Sequence, residues 1–292
     1  MTSETLDKLD IQVIAEDTVG YDTPYLGQHG ISILVTAHAA GVCRRVLVDV
    51  AQDSDALLEN MRRMEVDPRN IDAVVLTHCH YDHTLGTARL VAAVGKTNLP
   101  VVAHPDLFRP HFVSDPGLRS IGMAREDSRE AIEAAGGVLC LSRDPLPIAP
   151  GLTVSGQVPR RTDFETLAMP LFTFVDGNLC NDAMDDDISL FARVKGRGLV
   201  IVTGCSHAGI INICRHAMEL AGENRIHGII GGLHLLDADK TRIDQTVAAL
   251  KALDPDWIRA GHCTGFPAQA ALYAGFKDRF TPMHTGMRVS VE

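Results

Sequence analysis

No apolar run in this sequence approaches the ~20 residues that a membrane-spanning helix requires. The first residues, MTSETLDKLD, are polar and acidic, which fits neither a secretory signal nor a transit peptide. A cytoplasmic protein without a membrane partner is expected. Basic residues are the minority, 27 Lys and Arg against 37 Asp and Glu, for a formal net charge of −10. Gripping nucleic-acid phosphates takes a basic surface, so no nucleic-acid partner is expected. The seven cysteines are odd in number and contain no CxxC. Without an export signal they do not read as a disulfide framework. Aromatic residues make up 5%, with a single Trp, and no stacking platform for a ring-shaped ligand is visible. Internal repeats and low-complexity linkers are also missing.

What is present is an ordinary folded composition, 46% hydrophobic and 22% charged over 292 residues. That length supports a sizeable core. A single domain over 1–292 is expected, with an irregular, loop-rich insert at about 105–188. Strand-like runs fall at 11–15, 31–37, 45–50, 73–77, 100–104, 189–194, 198–204 and 227–232. Helical patterns lie at 56–65, 86–95, 129–136, 211–221 and 242–253. The alternation predicts an α/β fold. Before residue 50 the strands follow one another without a helix, which predicts hairpins and mixed sheets. The insert is rich in prolines and turn signals. Its acids at 185–187 and the pair Arg160 and Arg161 read mostly as surface loop.

The chemistry concentrates at strand ends. The apolar run at 71–76 leads into THCHYDH at 77–83. Side chains alternate along extended backbone, which would turn His78, His80 and Asp82 one way with His83 displaced. Imidazole nitrogens and a carboxylate at this spacing suit Zn²⁺, Fe or Mn²⁺. The bland reading is a polar turn with coincidental histidines, and four potential ligands in six residues weigh against it. GLVIVTGCSHAG at 198–209 delivers His207 after a second strand. GIIGGLHLL at 228–236 delivers His234, and WIRAGHCTG at 257–265 delivers His262. Ligands of open α/β sheets gather at such carboxyl ends.

HxHxDH after a strand, followed by histidines at later strand ends, resembles the metallo-β-lactamase superfamily. HGIS at 29–32, LVDV at 47–50, GCSHAGIINI, GGLHL and GHCTG are similar to one branch of it. That branch comprises the dihydropterin–ribofuranosylaminobenzene 5′-phosphate synthase-like metal-dependent hydrolases. The resemblance covers nearly the whole chain. It implies a four-layer αββα sandwich with the site along one edge of the sheets. It also implies two divalent metal ions, zinc foremost with iron or manganese as alternatives. His78, His80 and His207 would hold one, and Asp82, His83 and His262 the other. Asp49 would orient the metal-binding loop without ligating. The sequence departs from the wider pattern in two ways. The stretch GLTVSGQVPRRTDFE at 151–165 contains no histidine, where many relatives carry one. Gly204-Cys205 also stands where they have Gly-Asp. His207 would replace the missing ligand, and Cys205 or water alone would bridge the metals.

The expected activity is hydrolysis: a metal-bound hydroxide attacks a small-molecule ester, lactone or phosphoester. Asp82 would orient the water, and His234 would act as general acid or oxyanion donor. The alternative is a transferase that condenses a pterin pyrophosphate with a ribosylaminobenzene phosphate, with Arg160 or Arg161 neutralising the leaving diphosphate. A second alternative is a metal-bearing binding protein without catalysis. His29 and Tyr81 are further candidates for metal or substrate contact. Cys79 and Cys263 read as compact residues between ligands. His38, His104, His111, His216, His227 and His284 read as structural. The partner is a small molecule, and a homo-oligomer is left open.

Overall fold

Alternation along single strands explains how the layers form. In the run at 45–50, Val46 and Val48 join one buried cluster while Leu47 joins another. In the run at 198–204, Val200 and Val202 join the first of these clusters, while Leu199 and Ile201 pack elsewhere, among helices. Each strand is thus apolar on both faces, as a strand covered on both sides must be. The computed structural model describes residues 4–114, 116–167 and 170–292. Among the described residues, the strands form two seven-stranded sheets and one of four.

The first sheet runs from Arg288–Val291 through Lys8–Ala15, Ser32–Ala39 and Val42–Val48, then to Ala73–Val75, Leu99–Ala103 and Gly137–Leu141. Its first half is antiparallel and its second half parallel. The expected early hairpin is the pair Ser32–Ala39 and Val42–Val48. The second sheet is parallel across Phe280–Pro282, Trp257–Gly261, Ile226–Gly232 and Gly198–Val202. It becomes antiparallel at Leu190–Val194, Leu152–Val154 and Leu146–Ala149. The sheets bury Ile11, Val35, Val46 and Val75 against Leu190, Val200, Val202 and Ile230. Helices Ser54–Arg63, Thr87–Val94 and Arg129–Ala134 cover the outer face of the first sheet with Leu57, Met61, Leu90 and Ile132. Helices Ile210–Ala221, Lys240–Leu253 and Phe266–Phe276 cover the second with Ile213, Ala217, Leu250 and Leu272. This is the expected αββα sandwich with mixed sheets.

Phe266–Phe276 was not expected as a helix. Its sequence, FPAQAALYAGF, has apolar residues on every face, so no helical stripe shows. Residues 105–188 divide in the structure. Gly137–Leu141 extends the first sheet, and Leu146–Ala149 with Leu152–Val154 extends the second. The small sheet, Asn178–Asn181, Leu171–Val175, Phe112–Val113 and Arg119–Ser120, also comes from this stretch. Asp186 and Asp187 are buried, against the reading of 185–187 as surface acids, while Asp185 is exposed. No helix among the described residues is long and apolar enough to cross a membrane.

Candidate metal centre

The strands Ala73–Val75, Gly198–Val202, Ile226–Gly232 and Trp257–Gly261 end on the same edge of the sandwich, and the loops after them carry the histidines. The first loop departs from the extended geometry expected of it. His80 is extended (φ −61°, ψ 142°) and caps a helical turn, Tyr81–Thr84. Asp82 and His83 therefore leave the line of His78 and His80 together. The side-chain groupings follow that break. Nitrogens of His78, His80 and His207 converge within 4.8 Å of one another, and so do ligand atoms of Asp82, His83 and His262. The two expected trios are both present as clusters, and Asp82 sits with His83 rather than with His78 and His80.

Asp49 builds the loop. Its carboxylate is buried and accepts from Thr77 N–H, from the Thr77 hydroxyl and from His83 Nδ1–H, each at 2.7 Å. The Thr77 hydroxyl has spent its proton on Asp49, so it can only accept from His78 Nδ1–H, 3.0 Å away. Both rings thereby anchor Nδ1 and turn Nε2 into the site, where it is the nitrogen a cation would meet. His262 is anchored in the same way. Its Nδ1 lies 2.5 Å from Asp17 Oδ2, and its Nε2 faces Asp82 Oδ2 at 3.1 Å. His207 is buried with neither ring nitrogen hydrogen-bonded.

Two glycines are required here. A Cβ on Gly204 would lie 2.1 Å from Thr77 Oγ1 and 2.8 Å from Asp49 Oδ2. Gly30, at φ +106°, passes so close to the Asp82 carbonyl that a Cβ would lie 1.8 Å from its oxygen. The HGIS and GCSH motifs thus each carry a glycine because another backbone or carboxylate fills the space.

The donor set fits a metal. Burial and the neighbouring imidazoles hold His78 and His80 well below the ordinary histidine value. Burial and the rings of His234, His80 and His78 do the same to His207. Protons therefore do not settle among these rings, and their lone pairs face one another. His78 Nε2 and His80 Nδ1 are only 3.1 Å apart. In the other cluster burial opposes a charged His83, but the Asp82 and Asp49 carboxylates outweigh it and lift its pKa to about 9. Burial would raise the Asp82 carboxyl, yet the His83 and His262 rings hold it well below the usual range. Negative charge and nitrogen donors converge there, as a cation requires.

Cys205 lies between the clusters. Its Sγ is 3.1 Å from His83 Nε2 and groups with His78 and His83. Burial pushes its thiol well above the ordinary value, so it would ionise only beside a cation. Cys263, read as a packing residue, also belongs here. Its Sγ accepts from His234 N–H at 3.3 Å and groups with Cys205 and His234. Cys79 is buried in the core. The His234 ring lies 3.9 Å from that of His207, and its Nδ1 is buried without a partner. His29 joins the mouth of the site, with Nδ1 2.8 Å from Asp17 and Nε2 3.5 Å from Asp82.

Asp17 and Glu16 escaped the sequence reading. Glu16 accepts from His262 N–H at 2.5 Å. Asp17 joins His29 and His262, and they outweigh burial to keep its carboxyl below the usual range. The available signal was two adjacent acids directly after the strand Lys8–Ala15.

A cleft of about 380 Å³ opens from these residues. One side carries His80, Asp82, His207, His234 and His262. The other is apolar, with Val113, Ile121, Leu167, Leu171 and Leu236, and Tyr81 and Arg119 also line it. Arg160 and Arg161 do not line this cleft. Arg160 donates to the carbonyls of His207, Ala183 and Met184, and Arg161 pairs with Glu219.

Comparison with known proteins agrees with this geometry. The family model described as "Metallo-beta-lactamase superfamily" matches residues 44–171. The 7,8-dihydropterin-6-methyl-4-(β-D-ribofuranosyl)-aminobenzene-5′-phosphate synthase of Methanocaldococcus jannaschii is 36% identical, over 96% of each chain. An uncharacterized protein of the same organism is 34% identical, over 85% of this chain and 88% of its own. A crystal structure of a metal-dependent hydrolase of the β-lactamase superfamily superposes with a TM-score of 0.81 at 24% identity, covering 97% of this chain and 99% of that one. With the fold, the clustered histidines and near full-length relatives in agreement, this chain belongs to the metallo-β-lactamase superfamily.

Proposed function

We propose that this protein is a metal-dependent transferase that joins a dihydropterin bearing a diphosphate leaving group to a ribosylated aminobenzene phosphate. The observation that carries this reading is the match to a synthase along 96% of both chains. The solved hydrolase resembles this chain in fold at 24% identity, which does not speak for hydrolysis. The apolar wall of the cleft also favours transfer. Val113, Ile121, Leu167, Leu171 and Leu236 would cover a flat ring and exclude the water that would otherwise compete.

His78, His80 and His207 would hold one metal and Asp82, His83 and His262 the other, with Cys205 between them. When bound, the metals would supply positive charge to neutralise a leaving diphosphate, or lower the pKa of water in a hydrolytic reaction. The arylamine nitrogen would form a bond to the exocyclic methylene of the pterin as the carbon–oxygen bond to diphosphate breaks. The nitrogen then sheds one proton. His234, which lines the cleft and keeps a buried ring nitrogen without a partner, is the group that would take it. Arg119 is the one Arg or Lys among the described residues lining the cleft, so the task first given to Arg160 and Arg161 passes to it. Arg119→Ala should lower kcat/KM for the pterin pyrophosphate roughly tenfold, with the loss seen in kcat, because it removes positive charge that faces the departing diphosphate in the transition state. Steady-state kinetics on the two variants Arg119→Ala and Arg119→Lys would check this.

The deciding experiment incubates metal-loaded protein with the pterin pyrophosphate, with and without the ribosylated aminobenzene phosphate. Coupled product and diphosphate in equal amounts support transfer. Diphosphate released equally without the acceptor means hydrolysis. No turnover of either, with metals bound, leaves a binding protein.

A further inference from the structure

Behind the histidine loop lies a buried charged network built from the stretch first read as an irregular insert. Arg109 donates to both oxygens of Asp182, at 2.6 and 2.9 Å, and reaches Asp186 at 2.8 Å. Asp186 accepts the backbone N–H of Cys79, between the two histidines, at 2.8 Å. Asp182 Oδ2 is also 2.7 Å from His111 Nδ1. His111 Nε2 in turn lies 2.9 Å from His80 Nε2. Asp182, Asp186 and His111 are all buried.

Proton bookkeeping along this chain has one favoured solution. A carboxylate only accepts, so His111 Nδ1 carries hydrogen. Arg109 brings one positive charge to the two carboxylates of Asp182 and Asp186, so the facing nitrogens rather than charge balance fix His111. A cation among His78, His80 and His207 takes a lone pair from His80 Nδ1, the nitrogen turned to His78, and that requires a His111 whose Nε2 carries no hydrogen. Its Nε2 is then bare and must accept, which puts the hydrogen of His80 on Nε2. The remaining nitrogen, His80 Nδ1, is left bare and faces His78 Nε2.

We propose that His111, held by Asp182 and Arg109, is a positioning residue that fixes the tautomer and ring angle of His80 for metal binding through Nδ1. The inference rests on the metal reading given above. A histidine ligand oriented by a hydrogen bond at its other nitrogen binds metal more tightly, and losing such a partner typically weakens affinity about 10–100-fold.

The test is zinc affinity by competition with a chromophoric chelator, on wild type, His111→Leu and His111→Gln. His111→Leu should bind one zinc roughly 10–100-fold more weakly. His111→Gln, whose amide oxygen can still accept, should recover most of the loss. Wild-type affinity in the leucine variant, or equal loss in both, overturns the proposal. A wild type that takes up no zinc overturns the metal reading itself, and the inference with it. Should His111→Leu fail to fold by circular dichroism, nitrogen NMR of zinc-loaded wild type labelled at histidine decides directly. Hydrogen on His80 Nε2 sustains the assignment, and hydrogen on Nδ1 overturns it.

Discussion

Asp82→Asn is expected to empty one of two metal positions and to lower kcat by about 10³-fold. The carboxylate of Asp82 is where three rings converge. Its Oδ2 lies 3.1 Å from His262 Nε2, 3.4 Å from His83 Nε2 and 3.5 Å from His29 Nε2. It is the only carboxylate in its trio. An amide keeps the shape but removes the negative charge that draws a cation there. A bound metal stabilises developing charge by several kcal/mol, and about 4 kcal/mol corresponds to 10³ in rate. Elemental analysis of protein purified without added metal or chelator would show near two equivalents in wild type and near one in the variant. Two equivalents and full turnover in Asp82→Asn would remove this residue from the ligand set. Near zero in wild type, with no uptake on reconstitution, would sink the metal reading.

Asp49→Ala should act on stability even without metal. The substitution strands three buried donors at once: Thr77 N–H, the Thr77 hydroxyl and His83 Nδ1–H. Removing one partner of a buried charged network costs about 3–5 kcal/mol. For a chain of this size that lowers the melting temperature by roughly 10 °C. Thermal unfolding of metal-free protein by circular dichroism would measure it. Asp49→Asn, which retains one accepting oxygen, should fall between alanine and wild type. A shift under about 2 °C for Asp49→Ala would mean that the loop does not depend on this carboxylate.

Much of the site was legible because the fold uses short-range rules to build it. A buried strand followed by ligand-type residues marks a carboxyl end. Four such ends present His78, His80, His207, His234 and His262 as candidate ligands in the sequence itself. What escaped is what depends on partners far away in the chain. Asp17 meets His262 across 245 residues, and nothing local to IAEDTVG announces it. Arg160 and Arg161 read mostly as surface loop, with anion binding as the alternative, yet each is engaged in a specific contact elsewhere. His111 read as structural, although it touches His80. The acids at 186 and 187 sit in a polar, turn-rich stretch, and only their burial beneath the loop gives them a role.

The sequence by itself determined the alternation of strands and helices, the strand ends and the residue types that crowd them, and its family resemblance implied the layers. Backbone periodicity and side-chain chemistry are local properties, written wherever the residues stand. The family resemblance implied the two trios, and tertiary structure alone decided which nitrogen of each ring faces its cluster. It also decided that Gly204 leaves room for Asp49 and Thr77, and that Arg119 rather than Arg160 meets the cleft. Those outcomes turn on distances of about 3 Å between segments far apart in the chain, and a hydrogen bond's direction is set only once both partners are in place.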